Sequence, residues 1–128
     1  MKNKQLLELV SNLNQVIGNQ ETKVAKKLFK IFEKIKPLYE KYNADVEELR
    51  LDNASTDKDG ILLLDEKSNY KYSKEGIKKL TQQIKDLSDK EIEFNKIEVI
   101  NTLGLENFTF LEDWTTGIEF NKQEEEEL

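Results

Sequence analysis

Cysteine and histidine are both absent from this chain of 128 residues. Without cysteine there is no disulfide, no thiolate metal site and no thiol nucleophile. Without histidine, the commonest base near neutral pH and the commonest metal ligand are also missing. The five glycines are scattered, so no glycine-rich phosphate loop or nucleophile elbow is present. Carboxylate pairs occur at Glu47-Glu48, Asp65-Glu66 and Glu91/Glu93, yet adjacent acids are ordinary in a chain with 36% charged residues. On these grounds no enzyme and no cofactor are expected. The N-terminal apolar run, MKNKQLLELV, is too short and too charged for a signal peptide or a membrane span. The missing cysteines suit a reducing compartment, and a soluble, intracellular protein with no membrane partner is expected.

The net charge is −6 and the hydrophobic fraction only 37%. A polyanion is repelled on average by such a chain, which argues against direct binding of nucleic acid. So low an apolar content predicts a core drawn out as a thin seam between long elements. The apolar spacing supplies those elements. Leu6, Val10, Leu13 and Ile17 recur at helical intervals, flanked by Leu9 and Val16, and Gly18-Asn19 follows as a stop. Thr22 stands where a cap would open a second helix. Over 22–50, Val24, Leu28, Ile31, Ile35, Leu38, Tyr42, Val46 and Leu49 fall on one side at about 100° per residue. The stripe passes the chain's one proline, Pro37, in phase, which predicts one kinked helix, with two abutting helices as the alternative. The first helix covers part of this stripe; a later helix or a second chain must cover the rest. The seam reads as too long for the chain itself to hide, so self-association is one of the partnerships it predicts.

After the loop NASTDKDG, 61–65 and 70–72 read as two short strands joined by EKSN. Ser73 caps a third helix striped by Ile77, Leu80, Ile84 and Leu87. EIEF alternates as a strand would, and Ile97 and Val99 resume the alternation. Thr109 and Glu112 have capping-box spacing and predict a short helix that carries Phe110, Leu111 and Trp114 and ends at Gly117. No internal repeat and no domain boundary is apparent. The chain divides into a single domain over 1–120 and an acidic tail over 121–128.

Three stretches are candidate sites. In 55–66, STDKDGILLLDE, Asp57, Asp59 and Glu66 take positions three, five and twelve of a calcium loop, with Gly60 at six and Leu62 at eight. Position one is Ser55 and no helix-like exit follows, so a loop ending at Asp59-Gly60 before a strand explains the stretch as well. On the second helix, Lys23, Lys27, Lys30, Lys34 and Lys41 share one direction, about 100° from the apolar stripe, with Lys26 at the margin. They read either as a dock for an acidic partner or as a solvated face whose stems shield the seam. The acids Glu124 to Glu127 of the tail, or those of a neighbour, are a further match for them. Near the end, Phe108, Phe110, Trp114 and Phe120 gather into one stretch. They read as a lid on the core or as an anchor for a partner's pocket.

The fold expected is α+β and mainly α: a long helical hairpin with a small β-hairpin, a third helix and a compact aromatic C-terminal segment. This order of parts is carried by LLELVSNLNQVIGN, TKVAKKLFKIFEKIKPLYEKYNADVEELR, DKDGILLLDEKSNYKYS and GIKKLTQQIKDLSDKEIEFNKIEVI. Over residues 5–100 it is similar to short uncharacterised proteins encoded in tailed-bacteriophage genomes. The resemblance implies a non-catalytic role in the virion, in its assembly or against the host, with the protein in the host cytoplasm during infection or in the virion. The expected function is protein–protein interaction, as a structural or assembly component docking on a larger phage protein. The alternative is an acidic inhibitor of a host defence or nucleic-acid enzyme, of the anti-CRISPR or DNA-mimic type.

Overall fold

A computed structural model describes residues 1–121; of the acidic tail, only Asn121 falls among them. Three helices dominate: α1, Asn3–Ile17; α2, Thr22–Asn53; and α3, Lys74–Asp89. A two-residue strand β1, Ile97–Glu98, a 3₁₀ helix, Thr109–Trp114, and a second strand β2, Thr115–Thr116, complete the order. The protein is therefore mainly helical α+β, as its apolar spacing predicts.

The helix α2 is one continuous helix of 32 residues with Pro37 inside it, not two abutting helices. Its opening differs slightly from expectation: Glu21 is the N-cap and Thr22 the first helical residue. The predicted stripe is the buried one, with Val24, Leu28, Ile31, Ile35, Tyr42 and Val46 all inside. At 1.5 Å per residue α2 is about 48 Å long. The 15-residue α1 and the 16-residue α3 are each about half that length. They share α2 between them. Leu6, Leu9, Val10 and Leu13 of α1 pack with the first half of the stripe. From α3, Gln83 receives a hydrogen bond from Asn53 at 2.7 Å, and Ser88 lies 3.5 Å from the Tyr42 hydroxyl, so α3 runs back along the second half.

The two shorter helices meet head to tail. The Asn3 backbone N–H donates to Lys90 O at 3.1 Å, and the Asn3 side chain donates to Leu87 O at 2.9 Å. Unsatisfied donors at the start of α1 thus meet unsatisfied acceptors at the end of α3, with the two helix dipoles aligned. The result is an interrupted second rod antiparallel to α2. This corrects the expectation that α2 outruns its own chain. The later helix covers the rest, and the apolar stripe needs no second molecule.

Residues 54–73 contain a repeat that the sequence hides. Ser55, Leu63 and Lys71, eight apart, close a triangle: Ser55 N–H donates to Lys71 O at 2.8 Å, Lys71 N–H to Leu63 O at 3.1 Å, and Leu63 N–H to Ser55 O at 3.0 Å. Two matching turns join the corners. Asp57 Oδ1 accepts from the N–H groups of Asp59 and Ile61, and Asp65 Oδ1 from those of Lys67 and Asn69. Each turn ends on a left-handed residue, Gly60 at φ +81° and Ser68 at φ +65°. Ser73 holds the third equivalent place, where its Oγ accepts from Gly76 N–H and caps α3. The expected hairpin strands 61–65 and 70–72 are reduced to the bridge Leu64↔Tyr70, because every eighth residue turns a corner. EIEF is likewise not a strand; Glu91 alone makes a bridge, with Lys2.

The C-terminal segment wraps the first half of α2. β1 pairs in parallel with β2, Ile97 against Thr115 and Glu98 against Thr116. Leu105 and Leu111 are fully buried in the core formed by α1 and α2. The expected short helix forms at Thr109–Trp114, but as a 3₁₀ helix whose N-cap position is Phe108, not Thr109, and carries no side-chain cap bond.

Candidate functional site

An open groove of about 640 Å³ runs between α2 and residues 97–103. One wall carries Lys23, Lys26, Lys27, Lys30 and Lys34, spaced along successive turns of α2. Ile97, Val99, Ile100 and Leu103 supply the opposite wall, and Ile31 belongs to the lining from the helix side. Glu98 is the one carboxylate in this lining. Ile100 is 82% exposed and Leu103 77% exposed, the two most exposed large apolar side chains among the described residues.

The segment is seated on α2 by a close approach at Gly104. Its φ is +94°, and a Cβ there would stand 2.6 Å from a Val24 methyl carbon. Glycine is thus required both for the backbone angle and for contact with the helix. Lys27 crosses the groove and donates to the Leu103 carbonyl oxygen. At the other end of the segment, Gly117, at φ +95°, lies under the Val99 carbonyl, where a Cβ would come within 2.4 Å of the oxygen. Val99 N–H donates to Thr116 O at 2.9 Å, which fixes the strand end.

The five predicted lysines divide four to one. Lys23, Lys27, Lys30 and Lys34 share the groove, joined by Lys26 from the margin. Lys41 lies two turns further along and pairs instead with Asp45 at 3.2 Å on its own helix. Among the described residues Lys23, Lys26, Lys30 and Lys34 form no ion pair. The four predicted aromatics are elsewhere. Phe108, Phe110, Trp114 and Phe120 are all half-buried against the core. Phe94 meets Trp114 edge-on at 5.8 Å, and Phe108 meets Phe110 at 6.2 Å. None of the predicted four is part of the groove lining.

Ile100 and Leu103 were absent from the sequence-based site, although a signal existed. In IEVI the alternation places Ile97 and Val99 inward and Glu98 outward, so Ile100 is apolar where the pattern asks for a polar residue.

In 55–66 the carboxylates of Asp57, Asp59 and Glu66 are not gathered into one cluster. Asp57 Oδ1 is turned to the backbone N–H groups of Asp59 and Ile61, and among the described residues no cluster of three or more metal-ligating side chains exists. The loop reading of Asp59-Gly60 is the one the geometry carries. Among the described residues no helix is long and apolar enough to cross a membrane. No family model, curated protein or solved structure matches the chain.

Proposed function

We propose that this is a non-enzymatic protein that works by docking on a larger protein, and that the groove between α2 and residues 97–103 is where the partner is held. One observation supports this above the others: a row of lysines, of which Lys23, Lys26, Lys30 and Lys34 form no ion pair among the described residues, lines the same groove as two exposed apolar side chains, Ile100 and Leu103. Stems and apolar wall offer burial, while the ammonium groups select acidic partners. The overall charge of −6 makes the row a local exception, so an acidic partner is steered to this face and away from the others. The phage setting, as a virion structural or assembly component, is proposed on the order of elements alone.

The test is co-purification. Particles or assembly intermediates from infected cells are expected to carry the protein at high copy number. A Lys30→Glu/Lys34→Glu double variant is expected to be lost from them while retaining its helical circular dichroism. Retention of that variant at wild-type level would remove the groove from the proposal.

A further inference from the structure

Deepening the docking reading and resting on it, we infer that the groove takes an extended acidic segment of a partner, which adds as a third strand to the free edge of β1. Among the described residues the sheet has two strands. Val99 N–H points to Thr116 O, and Ile97 is registered with Thr115. Polar backbone groups alternate sides along a strand, so the N–H and C=O of Glu98, between those two, face away from β2. Glu98 is itself among the residues that line the groove, which puts this edge within reach of a segment held there.

An unpaired strand edge is a template for another chain unless it is covered or blunted. Among the described residues nothing pairs with this one. Strand addition would satisfy the edge and extend a sheet that is now only two residues long on each side. Side chains of the added strand alternate between two faces. One face would meet Ile100 and Leu103, and the other would reach the ammonium groups of Lys30 and Lys34. The matching chemistry is therefore an alternating run of acidic and apolar residues. A helical partner would leave the Glu98 backbone unused, and a nucleic acid would be opposed by the net charge and by the apolar wall.

The experiment titrates the full chain with three fluorescently labelled eight-residue peptides: alternating Glu/Val, the same peptide N-methylated on alternate amides, and alternating Lys/Val. The Glu/Val peptide is expected to bind and to shift the amide resonances of 97–103. N-methylation is expected to weaken it about tenfold, the effect of losing about 1.4 kcal/mol of backbone hydrogen bonding. The Lys/Val peptide is expected not to bind. If N-methylation changes nothing while Lys30→Glu/Lys34→Glu abolishes binding, strand addition is wrong and the acidic dock survives. If binding is indifferent to the lysine variant, both fall. If the Glu/Val peptide does not bind, strand addition is overturned, and the dock is judged by co-purification.

Discussion

Asn3 is 4% exposed and stands where two helix ends face each other. A buried amide is expensive unless its donors and acceptors are used. Here the side chain donates to Leu87 O, and the backbone N–H donates to Lys90 O. Replacing Asn3 with leucine keeps the size and removes the donor, so the Leu87 carbonyl oxygen loses one of its two partners and keeps the Lys90 N–H at 3.2 Å. The expected cost is about 0.5–1.5 kcal/mol, read as a lower midpoint in urea denaturation with an unchanged slope. The exposed pair of Lys4 with Asp89, 2.9 Å apart and two residues from the same junction, makes the comparison. Its removal through Lys4→Ala is expected to leave the midpoint nearly unmoved, because surface ion pairs are screened. Equal losses in the two variants would show that the junction owes nothing to the buried amide.

The element with the clearest internal logic is 54–73, where one aspartate organises each turn. Asp65 receives hydrogen bonds from Asn69 and Lys67, and these hold its carboxyl below the usual 3.8. A carboxylate depressed in the folded state stabilises fully above its unfolded value and ceases to do so as pH falls through the folded one. The melting temperature is therefore expected to decline on the acid side, below pH 3.8. Asp65→Asn keeps an oxygen acceptor but no charge, so it is expected to shallow that decline. Parallel curves for the two proteins would mean the turn bonds carry no charge-dependent stability. The Tyr70 hydroxyl behaves oppositely: its hydrogen bond to Glu47 raises its pKa, so its contribution is present below the usual 10.0 and fades as pH rises through the folded value.

This same element marks a limit of the sequence. The period of eight sits in Asp57, Asp65 and Ser73, and in Gly60, Ser68 and Gly76. The residues change while the acceptor role persists, and the left-handed turn-closer of Gly60 and Ser68 gives way at Gly76 to the first turn of α3, so no recurring letters mark the repeat. Helices were legible because burial at a period of 3.6 repeats over many turns. The lysine wall was legible for the same reason. The wall opposite was not, since Gly104, Leu105 and the β1–β2 pairing bring it to α2 from some 70 residues away, and no local period encodes that return.

At the scale of the molecule, the question is what remains once α2 is covered. The stripe from Val24 to Val46 is buried by α1, α3 and the C-terminal segment. A helix whose apolar face is closed by its own chain gives no reason for obligate pairing. Among the described residues exposed large apolar side chains persist at Ile100 and Leu103 beside the groove, at Phe29 and Leu51 on α2 itself, and at Ile61, Leu63, Leu64 and Ile77. Specific interfaces need about 800 Å² from each partner, more than a pair of isolated side chains supplies. A net charge of −6 further opposes two copies at low salt. The protein is therefore expected to be monomeric by light scattering at micromolar concentration and low ionic strength. A dimer that Ile100→Lys dissolves would make the groove wall a self-association surface and place a second copy where the acidic partner is proposed. A dimer indifferent to Ile100→Lys but dissolved by Leu64→Lys would leave the groove free and move self-association to the other end of the rod.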